Sequence, residues 1–279
     1  MTYKTILVHI DETERSDLRV KFAAQLAAKE EAHLIGTAVT GVSRFIYQDG
    51  NISASDPNLM IHLKFLRERA EKAVASFETV VRQTSLQSFE SSIANDEAGG
   101  GIGLQARYSD LVVIGQTNPD EPSPSVLPDF PEYIVMNAGR PAVIIPYAGD
   151  FPTIGKRPLI SWDASREATR AVTDALPLLK QADLVQVAIF NPKKNPGAHG
   201  EQPGADIALY LARHGVKVEV SVHTTHTDVG NALLSLSHDL DSDLLVMGGY
   251  GHSRFREMIM GGVTRTILES MTVPVFMSH

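Results

Sequence analysis

Three segments of this chain occur twice, in the same order, and that repeat constrains the fold more than any other feature. Ser109-Asp-Leu-Val-Val-Ile-Gly115 returns as Ser242-Asp-Leu-Leu-Val-Met-Gly248. Pro141-Ala-Val-Ile-Ile145 returns as Pro274-Val-Phe-Met277, and both pairs lie 133 positions apart. The third pair is Ile6-Leu-Val-His-Ile-Asp11 and Pro158-Leu-Ile-Ser-Trp-Asp163, each an apolar run ending on Asp and followed by a helical pattern. One supersecondary plan used twice is the simplest reading. The length of 279 residues agrees with two domains. Their expected bounds are 1–149 and 154–279, joined by the turn-rich Tyr147–Gly155.

Within each copy, strands alternate with helices. In the second, the pattern predicts strands near 157–162, 183–190, 216–222, 243–248 and 273–277, and helices near 165–181, 204–214, 229–240 and 262–270. Runs such as Leu244-Leu-Val-Met247 read as strands buried on both faces, which parallel sheets require. The fold class is therefore α/β, with two doubly wound five-stranded parallel sheets. Such sheets bind ligands beyond the carboxyl ends of their strands, where the strand order reverses. The first copy is longer between its strand-1 Asp and its strand-4 Gly, 104 positions against 85. Most of the excess falls in Gly41–Leu59, read either as a lid or contact surface or as a solvated insertion.

Composition narrows the function. The chain has no Cys, which excludes disulfides, thiolate metal sites and a Cys nucleophile and suits a reducing compartment. A net charge of −8 without a Lys/Arg cluster disfavours a nucleic-acid partner. The first residues carry too short an apolar run for a signal peptide, and no segment approaches the roughly 18 apolar residues of a membrane span. The expectation is a cytoplasmic protein without a membrane partner.

The chemistry concentrates after the second copy's fourth strand, in Gly248-Gly-Tyr-Gly251-His252-Ser253-Arg254 and Gly261-Gly262-Val263-Thr264. Glycines let a backbone approach an anion closely, and free N–H groups at a helix start point at it. The first copy retains only Gly115. Counted at the same spacing, Asn118, Pro128, Asp129 and Pro131 replace Gly251, Gly261, Gly262 and Thr264. The two prolines offer no N–H, and Asp129 adds a negative charge, so this copy is expected not to bind phosphate. It is read as a structural partner or as a holder of an uncharged ligand near Asp11.

The spacing Gly248-x2-Gly251-x9-Gly261 resembles the nucleotide-binding signature of the universal stress protein family. That signature is usually closed by Ser or Thr directly after the last glycine, where this chain has Gly262; Thr264 is the nearest hydroxyl. The resemblance implies strand order 3-2-1-4-5, an adenine nucleotide alpha hydrolase-like fold, and ATP or a related adenine nucleotide as ligand, with or without Mg. It implies that Asp163 lies near the adenine and that the backbone at Ile189 and Phe190 meets the base edge. Met247 and Gly248 would border the ribose, and Gly251, Gly261, Gly262 and Val263 would donate to phosphates. His252, Ser253 and Arg254 lie within reach of phosphates, although a solvent-facing Arg254 reads equally well. The implied partner arrangement is an intramolecular pseudo-dimer of the two copies, with a homodimer as a further form. The implied role is regulatory, in a stress response. Without a Walker lysine or an acidic pair for Mg, hydrolysis would be slow at most. Two alternatives stay open: a nucleotide-dependent α/β enzyme of the adenylating or slow ATPase type, and an interaction module with a relic pocket.

Other signals are weaker. Gly101-Ile-Gly-Leu-Gln-Ala106 fits a relaxed dinucleotide pattern but lies in the third β/α unit, which points to chance. His223 and His226 lack a neighbouring carboxylate and read as a solvated strand end rather than a metal site. The Gly/Pro-rich segment 191–204 adjoins the expected base pocket and reads as a gate.

Overall fold

The computed structural model describes residues 2–42, 57–194, 201–250 and 262–279. The chain divides into two compact units, Thr2–Arg140 and Pro141–His279.

In the first unit, β1 (Thr5–His9), β2 (His33–Val39), β3 (Phe89–Ala94) and β4 (Leu111–Gly115) form a parallel sheet in the order β3-β2-β1-β4. Ile6, Leu7, Val8 and Leu111–Ile114 are wholly buried, as expected of strands covered on both faces. The helices are α1 (Ser16–Glu30), α2 (Pro57–Arg82), α3 (Ala98–Ala106) and α4 (Phe130–Asn137). α1 packs on α2 and α3 on α4. The expected long loop is shorter than Gly41–Leu59, because α2 already begins at Pro57; residues 43–56 lie outside the described residues. Gly101 and Gly103 stand mid-helix in α3. A Cβ at Gly101 would meet Ala94 at 3.2 Å and Val39 at 3.3 Å, so close packing explains that glycine, whereas one at Gly103 would make only ordinary contacts with Tyr133 and Ile134.

The second unit contains β5 (Ala142–Ile145), β6 (Pro158–Ser161), β7 (Val185–Phe190), β8 (Val218–His223), β9 (Leu244–Gly248) and β10 (Val275–Ser278). Its helices are α5 (Arg166–Leu179), α6 (Ala205–Arg213), α7 (Val229–Asp239) and α8 (Val263–Ser270). The parallel order β8-β7-β6-β9-β10 is the expected 3-2-1-4-5. β5 adds on antiparallel to β10, with Val275 opposite Ile144 and Met277 opposite Ala142. All eight residues of these two strands are buried. Pairing with β5, rather than charge or proline, covers the edge of β10 away from β9.

The repeated Ser-Asp pair has the same task in both units. Asp110 accepts the N–H groups of Lys4 and Thr5 at 2.7 and 3.0 Å. Asp243 accepts those of Lys156 and Arg157 at 2.9 and 2.8 Å. Each carboxylate thus ties the start of the central strand to the start of the fourth, fixing which strands flank the switch point.

Candidate functional site

In the second unit, β6 and β9 lie side by side at the switch point and end beside the start of α5. Asp163 follows β6, is exposed, and accepts the Ser165 N–H at 2.9 Å. Ser165 in turn caps α5 by accepting the Ala168 N–H at 3.1 Å. Gly248 ends β9 against that helix start. A Cβ there would fall 2.6 Å from the Ala168 nitrogen and the Glu167 carbonyl carbon, so only glycine lets the strand end close on the helix. Met247 and Ile189 are buried, which leaves their backbone rather than their side chains to meet a ligand.

Three non-glycine residues have positive φ at the carboxyl ends of neighbouring strands: Asn191 after β7 (50°), Ala164 after β6 (61°) and Tyr250 after β9 (55°). Left-handed backbone costs such residues about 1 kcal/mol or more and concentrates at functional sites. No other non-glycine residue with positive φ among the described residues follows a strand; Glu31 caps α1 and Asp241 follows α7.

Past the turn, Gly262 is the N-cap of α8, with φ −66° and no side-chain cap. Its backbone is extended, not left-handed. Val263 opens the helix, and Thr264 is buried with its hydroxyl accepting the Tyr250 N–H at 3.1 Å. Gly251, His252, Ser253, Arg254 and Gly261 lie outside the described residues. Phe190 is half-buried, and its ring stacks on His223 at 5.2 Å. His223 also hydrogen-bonds the Ser221 hydroxyl at 2.8 Å. No group of three metal-ligating side chains occurs among the described residues. Of segment 191–204, Pro192–Lys194 form a 3-10 turn and residues 195–200 lie outside the described residues.

The corresponding place in the first unit is filled by its own side chains. Arg19 of α1 is buried and donates from Nε to the His9 carbonyl at 2.7 Å and from Nη2 to Asp11 at 2.9 Å. Its Nη1 lies 2.5 Å from where a Cβ at Gly115 would stand. Asp11 also accepts the Thr13 N–H and hydroxyl. Burial alone would raise the Asp11 pKa; the Arg19 guanidinium and the Thr13 hydroxyl outweigh it and hold the carboxyl well below the usual range. Burial pushes the His9 imidazole down to about 4, with Asp11 opposing and Arg19 reinforcing. Phe130 takes the place of Val263 and packs edge-on against His9 at 5.0 Å. The loop beyond β4 folds back over the strand ends: Glu121 accepts the Glu14 N–H at 3.1 Å, and Ser125 lies against Gly41. Among Asp11, Val39, Thr40, Leu66 and Ser125 about 10 Å³ remains, room for one water.

Sequence reasoning passed over Arg19. The one available signal was its place eight residues after the strand-1 Asp, where the second copy has Ala171.

A family model described as the universal stress protein family matches residues 156–279, the span of the second unit's parallel sheet. Through that unit the chain resembles the universal stress protein family. "Universal stress protein Slr1230" of Synechocystis sp. is 29% identical over 146 residues, which are 52% of this chain and 48% of that protein. The chain thus spans about half the length of the curated relative it matches. A universal stress protein from Archaeoglobus fulgidus DSM 4304 superposes with a TM-score of 0.74 at 15% identity, over 98% of this chain and 95% of that one. The functionally unknown protein PA1789 from Pseudomonas aeruginosa PAO1 follows at 0.62 and 14% identity, over 99% and 92%. These likenesses show a shared α/β fold along nearly the whole chain. No helix among the described residues is long and apolar enough to cross a membrane.

Proposed function

We propose that this chain is a tandem universal stress protein that binds one adenine nucleotide, ATP or a relative of it, at the carboxyl edge of β6 and β9, and that it acts as a regulator in a cytoplasmic stress response. The observation that carries the reading is the contrast at the two switch points. Among the described residues, Ala164 and Tyr250 hold left-handed backbone at the strand ends beside Asp163 and Gly248, Ala171 stands where the first unit has Arg19, and Tyr250 bonds to the first turn of α8. Around Asp11 and Gly115 an arginine, a phenylalanine and a folded loop occupy the same ground. Asp163 would meet the base and sugar. The backbone at Ile189 and Phe190 would meet the base edge, and Met247 with Gly248 would wall the ribose. Gly251, Gly261, Gly262 and Val263 would supply backbone donors to the phosphates, and His252, Ser253 and Arg254 would add polar contacts. Any Mg would be held chiefly by the phosphates, since no group of three metal-ligating side chains occurs among the described residues. With no Walker lysine in the sequence, turnover is slow at most, and the nucleotide serves as a signal rather than a substrate.

Titration calorimetry with ATP tests this directly. One site per chain is expected, and two equivalent sites would overturn the assignment to the second unit. Gly251→Val and Gly261→Val should abolish triphosphate binding while the fold survives. Unchanged affinity in both would remove the loop from the site. We read the two copies as an intramolecular pseudo-dimer, with the antiparallel pairing of β5 and β10 as support. A soluble, monodisperse monomer of residues 152–279 would count against that reading.

A further inference from the structure

We propose that Thr264 and His279 are positioning residues that clamp the Gly249–Tyr250 turn and thereby set where the anionic end of the ligand can lie. The proposal rests on the nucleotide reading above. The backbone of these two residues is held at three points. The Gly249 N–H donates to the Ser278 carbonyl at 2.9 Å, so the turn stays attached to the end of β10. The His279 Nδ1 lies 2.9 Å from the Gly249 carbonyl, which assigns the ring proton to Nδ1. The Tyr250 N–H donates to the Thr264 hydroxyl oxygen at 3.1 Å. That hydroxyl belongs to the first turn of α8 and is only 4% exposed.

Two consequences follow. Gly249 and Tyr250 have spent their N–H groups on the protein, so neither donates to a phosphate. Tyr250 also sits at φ 55°, a conformation that persists in a non-glycine residue only when its surroundings enforce it. The three bonds are that enforcement. The hydroxyl nearest the glycine signature therefore acts through the backbone rather than on the anion. The first unit has Pro131 in place of Thr264 and can form no such bond, so the clamp goes with the copy read as binding. Side-chain clamps of this kind hold a site to within fractions of an ångström and matter through geometry, not direct contact.

The test compares Thr264→Val, which keeps the shape and loses the acceptor, with Thr264→Ser, which restores it, and with His279→Phe. Amide hydrogen exchange at Tyr250 in the ligand-free full chain reads the clamp itself. Thr264→Val should lose roughly tenfold or more of the protection, and Thr264→Ser should regain it. ATP and adenosine titrations read its consequence. Thr264→Val and His279→Phe should weaken ATP roughly tenfold while leaving adenosine and the circular dichroism unchanged. An unprotected Tyr250 amide in the parent, equal protection in Thr264→Val, or equal losses for ATP and adenosine would each overturn the proposal. A parent chain that binds neither compound would instead overturn the nucleotide reading, and with it the ligand role of the clamp, while the exchange data would still decide whether the clamp exists.

Discussion

Asp11 and Asp163 occupy the same place in the two units and live in opposite surroundings. Asp11 is largely buried, bound to Arg19 at 2.9 Å and to Thr13, with its pKa depressed. Asp163 is exposed and, among the described residues, accepts a turn N–H of its own segment. The paired glycines differ in the same way. Gly115 gives space to a side chain, whereas Gly248 gives space to a helix backbone. A duplicated fold thus keeps its frame, down to the aspartates Asp110 and Asp243, while the first copy places Arg19 where the second has Ala171 and Phe130 where the second has Val263.

The largest expected effect follows from Arg19. Arg19→Ala leaves the Asp11 carboxylate buried without its cation and opens a void beneath Gly115. Breaking one partner out of a buried ion pair costs about 3–5 kcal/mol. Asp163→Ala, at the matching aspartate, should cost less than about 0.5 kcal/mol because that side chain is exposed. Amide exchange on the strands of each unit separates the two, since a two-unit chain need not unfold in one step. Equal losses in both variants would break the comparison.

The next effect is a pH dependence confined to the first unit. His9 is buried with its pKa near 4, against 6.5 when unfolded. The unfolded chain therefore binds the proton first. Stability contributed by His9 is fully present above pH 6.5 and is lost as pH falls from 6.5 towards 4, by about 3 kcal/mol in all. Asp11, also depressed, extends the loss below its ordinary range near 3.8. The second unit has Ser161 in place of His9 and lacks this slope. Exchange of β1 amides between pH 7 and 4.5 should show the loss, and His9→Gln should flatten it. An unchanged slope in that variant would point to another group.

The frame was more legible in the sequence than the fillings. The second-copy helix expected at 165–181 runs from Arg166 to Leu179, and the strand expected at 243–248 runs from Leu244 to Gly248. Apolar periodicity and glycine placement decide such elements locally. At Pro128, Asp129 and Pro131 the missing N–H and the added charge are likewise legible, because they belong to the residues themselves. Arg19 was illegible for the opposite reason: it looks like any polar helix residue until β1, β4 and α1 bring His9, Asp11 and Gly115 around it. His279 was equally silent, since its partner Gly249 is thirty positions away and joined only through β10. Gly248 was read as a ligand neighbour; its packing on α5 is a second demand that the sequence does not reveal.

That packing gives a smaller, sharper comparison. Gly248→Ala drives a methyl into the Glu167–Ala168 backbone, and backbone cannot step aside as a side chain can. Overpacking of this kind costs about 1–3 kcal/mol. Gly115→Ala meets only the Arg19 Nη1, the far end of a flexible chain, so its cost should be lower despite the nominally closer 2.5 Å approach. Denaturant midpoints of the two variants rank them. If Gly115→Ala proves the costlier, then Arg19 is held as rigidly as a helix backbone, and its hydrogen bonds to His9 and Asp11 fix the first unit more firmly than we argue.

The smallest expected effect uses the single tryptophan as a local reporter. Trp162 directly precedes Asp163, and its N–H donates to the Ala188 carbonyl at 2.9 Å, so the strand conformation continues through it. Successive side chains along such backbone point to opposite faces. Asp163 is exposed while Trp162 is half-buried, which agrees with that alternation. A base resting near Asp163 should therefore lie across the strand from the indole. Saturating ATP should shift the Trp162 emission by a modest fraction, whereas stacking would quench it almost completely. Asp163→Asn should remove much of that shift without moving the spectrum of the free protein. Near-complete quenching would place the base on the indole face and reverse the assignment of Asp163 to the ligand side; no change at all under calorimetrically confirmed binding would place the ligand away from β6.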